Sequence, residues 1–225
     1  MSKIKLIENF LSWQGEGPDS GRQMLILRFK RCNRVEEGRG CYFCDTKVKM
    51  RIIELAEYSF KDIQNIINRT NCGVMITGGE PTYDIQYADT VDLLKKLKYP
   101  IANIETNGYN LPKLLSDVTK KNVKFIWSPK VFTDGDLDDS MKYLEEVKDD
   151  KRVFIKAVVR SEENKIVKFL DYLKEKNYEI CSRTYLMPEG KDFQELYNNS
   201  MIVFDLAEKY SFNFSSRNHL IFGFV

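Results

Sequence analysis

Short apolar runs suited to buried strands recur along this chain with helix-period segments between them, and that alternation restricts the fold more than any other feature. The runs are Met24–Phe29, Gly73–Thr77, Ile101–Glu105, Val123–Trp127, Val153–Val159 and Ile180–Met187. Ser59 with Asp62 reads as an N-terminal capping box ahead of Ile63, Ile66 and Ile67 on one helix face. Ser161 opens a second helix with Ile166, Val167, Phe169, Leu170 and Leu173 turned inward, and Asp192 with Glu195 opens a third that carries Leu196, Phe204 and Leu206. Tyr83–Leu97 and Leu137–Val147 supply further helices between strands. The pattern predicts an α/β fold with a parallel sheet. Six runs are too few for a closed eight-fold barrel of about 250 residues, so an open, partial β/α barrel of about six mostly parallel strands is expected. In such folds the chemistry gathers at the carboxyl ends of the strands.

The 225 residues contain no internal repeat, low-complexity tract or Pro/Gly-rich linker, which predicts one domain over 1–225. With 43% hydrophobic residues the chain builds a core, and no stretch approaches the roughly 18 apolar residues of a membrane span. A net charge of +2 excludes a bulk basic field, so a small ligand is expected rather than a nucleic acid. The N-terminus is too short and too charged for the apolar core of a secretory signal, which predicts a cytoplasmic protein. Five cysteines, an odd number, do not suit a secreted disulfide framework. Cys72 and Cys181 stand alone beside apolar strands and read as packed residues.

The other three lie together as Cys32, Cys41 and Cys44, a C-x8-C-x2-C spacing. A C-x2-C pair lets two thiolates converge, and the third arrives from the end of the preceding strand. A structural zinc would want a fourth protein ligand, for which His219 is the obvious candidate, far away in sequence. Three thiolates with an open fourth position suit an iron–sulfur cluster that leaves one iron for a small ligand. Farther on, Thr77-Gly78-Gly79-Glu80-Pro81 follows a strand; two glycines free the backbone for close approach to a ligand and Glu80 brings a carboxylate.

Together these features resemble the radical S-adenosylmethionine (SAM) superfamily. Within it the chain is most similar to the 7-carboxy-7-deazaguanine synthase family. The resemblance rests on Phe10-Leu11-Ser12-Trp13-Gln14-Gly15-Glu16-Gly17, Arg28 ahead of Cys32, Cys44-Asp45-Thr46, the Thr77–Pro81 motif, Glu105-Thr106-Asn107-Gly108, Ser128-Pro129-Lys130, Leu186-Met187-Pro188 and His219. The chain departs from the superfamily's usual C-x3-C-x2-C by five extra residues, and Arg31 stands where the family carries glycine. Loop-closure entropy grows slowly with length, so the expanded loop is compatible with a cluster.

The resemblance implies a lyase that uses a 4Fe-4S cluster and SAM to take a hydrogen from 6-carboxy-5,6,7,8-tetrahydropterin, whose ring contracts with loss of ammonia to 7-carboxy-7-deazaguanine. It implies cluster ligation by Cys32, Cys41 and Cys44, and SAM contacts from Phe43, Cys44, Asp45, Gly79, Glu80, Glu105, Ser128, Pro129, Lys130, Met187, Pro188, Glu189 and Gly190. For the substrate it implies Trp13, Gln14, Gly15, Glu16, Arg28, Thr77, His219 and the terminal carboxylate of Val225, with Thr46 holding Mg²⁺. Arg28 suits the substrate carboxylate because its guanidinium is a fork. The family further implies an electron donor such as flavodoxin or ferredoxin, and a homodimer. A radical SAM activase that makes a glycyl radical on a partner protein shares the cluster and SAM motif and is the alternative; a zinc-binding module is a third. The apolar tail from His219 is expected to be buried.

Overall fold

The computed structural model describes residues 3–44, 46, 51–161 and 164–224. It divides into two compact units, one formed by the chain up to Trp13 with Arg22–Phe125, the other by Gln14–Gly21 with the chain from Ile126 onward. The Gln-Gly-Glu-Gly segment thus leaves the strand before it and packs with the C-terminal half of the sequence.

The first unit contains β1 (Lys3–Leu6), β2 (Glu8–Trp13), β3 (Gln23–Phe29), α1 (Asn33–Glu36), β4 (Ala56–Ser59), α2 (Phe60–Thr70), β5 (Gly73–Gly78), α3 (Asp84–Lys96), β6 (Ala102–Thr106) and α4 (Leu111–Asp117), and ends within β7 (Val123–Trp127). β1 and β4 form an antiparallel ribbon. β2 pairs antiparallel with β3, while β3 with β5 and β5 with β6 run parallel. The pairing stacks residues in rows across the strands. Phe10 faces Ile26, which faces Met75, which faces Asn103; the next row toward the carboxyl ends joins Glu8, Arg28 and Thr77. One sheet face therefore passes from an apolar cluster of Met24, Ile26 and Met75, backed by Phe10 and Ile101, to charged residues within one strand repeat. The alternate residues Leu25, Leu27, Val74 and Ile76 are fully buried. Ser59 caps α2 as its sequence predicts, accepting the Asp62 N–H at 3.1 Å, a contact worth about 1 kcal/mol.

The second unit contains α5 (Asp134–Val147), β8 (Val153–Val159), α6 (Lys165–Lys176), β9 (Thr184–Pro188), α7 (Phe193–Tyr210), β10 (Asn213–Phe214) and α8 (Asn218–Phe222). β8 with β9 and β9 with β10 are parallel. Among the described residues β2 has only β3 beside it and β10 only β9, so the sheet keeps two free edges and closes no barrel. Five of the six predicted runs lie in or overlap strands paired in parallel, the sixth, Val123–Trp127, forms β7, and the fold is the open α/β type the sequence predicts.

Three expectations change. Of Ile180–Met187, the first part is a 3-10 turn over Glu179–Arg183 and the strand begins at Thr184, because Ile180 is buried by the turn rather than by alternation. The helix expected from Ser161 starts after Asn164, whose side-chain oxygen takes the N–H groups of Arg160 and Ser161, both at 2.8 Å. The tail is not buried: α8 holds no buried residue, and Phe222 is 73% exposed. Gly223, in the left-handed region at φ 68°, ends that short helix. The lone thiols behave as packed residues, Cys72 buried and Cys181 donating to the Leu173 carbonyl at 3.4 Å.

Candidate active site

β3 delivers the chain to the cysteine loop. Cys32 caps α1, so the extra residues between the first two cysteines begin as one helical turn. The buried Arg34 closes that turn by donating to the Arg39 carbonyl at 3.2 Å, and Glu36 receives Arg31 at 2.5 Å and the Tyr83 hydroxyl at 3.1 Å. Arg31 is not among the residues with left-handed backbone, so the arginine carries no strain where the family has glycine. Cys32, Cys41 and Cys44 are all half-buried. Burial pushes the Cys32 thiol up to about 11 against the backbone N–H of Val35, and the charges of Glu80 and Cys41 add to the rise. Among the described residues no set of three His, Cys, Asp or Glu side chains stands in metal-holding geometry. The donor set nevertheless fits iron: three half-buried soft thiols lie in one loop, the ligand type that iron–sulfur clusters take. Asp45 lies outside the described residues.

The glycine pair after β5 makes its close approach to this loop's root. A Cβ on Gly78, at φ 119°, would stand 2.2 Å from the Phe29 carbonyl oxygen, and one on Gly79 would stand 1.9 Å from that of Arg31. The Gly79 N–H bonds the Phe29 carbonyl at 3.0 Å and the Glu80 N–H that of Arg31 at 2.7 Å. Gln86 completes the seam, its side-chain amide donating to the Arg31 carbonyl at 2.8 Å and accepting the Arg31 N–H at 3.3 Å. Glu80 is 1% exposed, and its carboxylate is occupied within the protein. One oxygen accepts the Thr82 N–H at 3.0 Å, the Thr82 hydroxyl at 2.5 Å and the Thr106 hydroxyl at 2.8 Å; the other accepts the Asn107 N–H at 2.6 Å. Burial pushes its pKa up, and those donors oppose the rise. Glu80 therefore joins the ends of β5 and β6, while Asn107 donates to Asn33 beside Cys32 at 2.9 Å. Glu105 and Thr77, at the ends of the same two strands, are half-buried.

Arg28 lies one strand before the loop. Its Nε donates to Glu8 at 2.6 Å and its Nη1 to the buried Thr46 hydroxyl at 3.3 Å, which brings together the residues predicted for the carboxylate and for Mg²⁺. Trp13, at the end of β2, is half-exposed.

The second unit assembles another group around Glu16. Lys156 reaches one carboxylate oxygen at 2.6 Å, Arg217 the other at 2.9 Å, and His219 Nε2 lies 3.9 Å away. Burial alone would raise the Glu16 pKa; Lys156, Arg217 and His219 together hold it well below the usual carboxylate range. Gly15 packs so closely on His219 that a Cβ would stand 2.4 Å from Nδ1, and its carbonyl accepts the Asn218 N–H at 2.9 Å. Gln14 is buried, with its side-chain carbonyl accepting the Glu16 N–H at 3.3 Å. Arg217 also donates to the Gly190 carbonyl at 2.6 Å, tying Glu16 to the Met187–Gly190 segment. Met187, Pro188 and Gly190 are buried, and the Glu189 N–H bonds the Val159 carbonyl at 2.8 Å. Ser128 and Pro129 are buried, and Lys130 donates to the Ser128 hydroxyl at 2.6 Å. Phe43 stacks edge-on with Tyr42. Val225 lies outside the described residues.

Sequence reasoning missed Glu8, Lys156 and Arg217. Lys156 carried a signal, a lysine inside an otherwise apolar strand, which a buried partner must balance. Glu8 and Arg217 carried none, because only strand register and chain return bring them to Arg28 and Glu16.

An open, mostly parallel α/β sheet with a three-cysteine loop after a strand is the architecture of a single-cluster iron–sulfur protein of radical SAM type, and a protein-family model described as "4Fe-4S single cluster domain" matches residues 14–152. The 7-carboxy-7-deazaguanine synthase of Hyperthermus butylicus is 30% identical over 227 residues, covering 97% of this chain and 92% of its own length. On that near full-length relation, the chain belongs to the 7-carboxy-7-deazaguanine synthase family. The fold is similar to that of QueE from Escherichia coli, with a TM-score of 0.65 at 22% identity, covering 96% of this chain and 95% of that one. It is also similar to Streptococcus suis SuiB bound to S-adenosylmethionine, with a TM-score of 0.53 at 20% identity over 85% of this chain and 51% of that one. Among the described residues no helix is long and apolar enough to cross a membrane.

Proposed function

We propose that this protein is a radical SAM lyase that converts 6-carboxy-5,6,7,8-tetrahydropterin to 7-carboxy-7-deazaguanine with loss of ammonia, a step toward queuosine and other 7-deazaguanines. The observation that carries this reading is the relation to the Hyperthermus synthase over nearly the full length of both chains. The same relation disfavours a glycyl-radical activase, since the relative's name describes synthesis of a small molecule.

Cys32, Cys41 and Cys44 hold the cluster. When bound, the cluster and SAM supply the one-electron bond cleavage that starts hydrogen removal. Gly79 and Glu80, Glu105, Phe43, Asp45, Ser128 to Lys130 and Met187 to Gly190 position SAM, and the hydrogen bonds to the Glu80 carboxylate hold that turn in place. Arg28 clamps the substrate carboxylate. Glu16, kept ionised by Lys156 and Arg217, accepts ring N–H groups and cannot donate, which selects the donor edge of the pterin. Gln14, Trp13, Gly15, Thr77, His219 and the Val225 carboxylate complete the ring contacts. Thr46 holds Mg²⁺ together with substrate oxygens; chelation then slows turnover while the cluster stays, and metal-independent turnover of stripped protein removes this claim. The whole chain acts as one catalytic domain, in the cytoplasm, as a homodimer reduced by flavodoxin or ferredoxin; sedimentation and donor-dependent turnover check the last two.

The test is anaerobic reconstitution with iron and sulfide, followed by mass spectrometry of a reaction with SAM, a reductant and the carboxypterin. Formation of 7-carboxy-7-deazaguanine and 5′-deoxyadenosine is expected. A cluster-loaded protein that cleaves SAM but leaves the carboxypterin unchanged overturns the substrate assignment.

A further inference from the structure

We propose that Glu8 is a positioning residue that aims the Arg28 guanidinium at the substrate carboxylate, an inference that rests on the reading of Arg28 as the carboxylate clamp. Glu8 and Arg28 are direct cross-strand partners in the antiparallel β2–β3 pair, so their side chains rise from the same face of the sheet. The Glu8 oxygen takes Nε, at 2.6 Å. The guanidinium is rigid and planar, so fixing Nε and the Nη1 contact to Thr46 fixes the plane and direction of the whole group. Among the described residues Arg28 has these two partners, and the Nη1–Nη2 edge opposite Nε remains the side from which a carboxylate can be bound in parallel. The two side chains are 16% and 19% exposed, dry enough for the pair to hold its geometry and wet enough for a small acid to reach it.

This role has a sign that charge alone does not share. Glu8 is negative, and a second carboxylate on the same arginine feels it as a like charge. If Glu8 acted only through its field, removing it would tighten binding of the carboxypterin. If it positions Arg28, removing it weakens binding, because an arginine free to rotate pays orientational entropy on meeting its ligand.

The experiment measures equilibrium binding of two pterins to anaerobically reconstituted protein, the carboxypterin and a tetrahydropterin with a methyl group in place of the 6-carboxylate. The wild type is expected to prefer the acid. In Glu8→Ala the Kd for the acid is expected to rise about tenfold, the scale of one charged hydrogen bond imperfectly made, while the Kd for the methyl analogue and the iron content stay unchanged. Glu8→Gln, which keeps the shape and one acceptor oxygen, falls between, and it serves as the main variant if Glu8→Ala does not fold. An acid Kd that is unchanged or lower in these variants overturns the inference and leaves the clamp intact. Equal losses for both pterins also overturn it, as general damage. A wild type with no preference for the acid overturns the clamp itself, and Glu8's role with it.

Discussion

The Gly79 backbone rests directly on that of Arg31: a single methyl group at position 79 would lie 1.9 Å from the Arg31 carbonyl oxygen and 3.1 Å from the Cys32 nitrogen. The glycine-rich turn and the first cysteine are therefore one rigid piece, built from two segments that are far apart in sequence. Gly79→Ala cannot be absorbed by a side-chain rotation, because the obstacle is main chain. It is expected to cost about 1–3 kcal/mol, the scale of forced overpacking, and to lower iron content as the Cys32 end of the loop shifts. Denaturant unfolding and iron analysis check both; a variant with wild-type stability and iron content would show that the turn moves freely.

The three clustered thiols and the two packed ones separate by substitution. Cys41→Ala is expected to abolish the broad visible absorption of the reconstituted cluster together with SAM cleavage, whereas Cys72→Ala, at a buried apolar position, keeps both and loses only modest stability. Cluster retention in Cys41→Ala would mean that other residues ligate the iron.

Glu16 links stability to pH with a defined sign. Its pKa in the folded protein lies below the ordinary 4.5 because Lys156, Arg217 and His219 outweigh the cost of burial. A depressed carboxylate contributes stability that is fully present above the unfolded value and is lost as the pH falls toward the folded one. Glu16→Gln leaves two mostly buried cations without their anion and is expected to cost roughly 3–5 kcal/mol at neutral pH. The gap between wild type and variant, followed by denaturant unfolding, should hold from pH 7 to about pH 5 and narrow below the usual carboxylate pKa. A gap independent of pH down to 3 would mean that Glu16 is not the titrating group.

Asn103 is fully buried on the row of Ile26 and Met75, and among the described residues neither polar atom of its side-chain amide has a hydrogen-bond partner. Unpaired buried amide groups are costly, whereas an apolar replacement of similar shape is nearly neutral or stabilising. Asn103→Leu is expected to unfold within about 1 kcal/mol of wild type or above it, and Asn103→Asp, which buries a carboxylate beside methionine, to lose several times that. A large loss in Asn103→Leu would reveal that the amide is bonded in the working enzyme.

Local interactions made the strands, most helix starts and the cysteine spacing legible without a structure, because alternation, capping and short-loop geometry act between residues a few positions apart. Ser59 and Asp192 were readable as caps for that reason, and each accepts the N–H three residues on. Asn164 was missed because its contacts run backward to residues 160 and 161, a pattern that competes with the Ser161 start. The identities of Arg28, Glu16 and Glu80 as notable residues also came from the sequence. What each carboxylate or guanidinium meets was decided by the tertiary structure alone. Glu8 is 20 residues from Arg28, Glu80 is 26 from Thr106, and Glu16 is 140 from Lys156 and 201 from Arg217. A buried charge must find its partner wherever the fold brings one, since leaving it unpaired costs several kcal/mol, and no local pattern encodes which distant residue that will be.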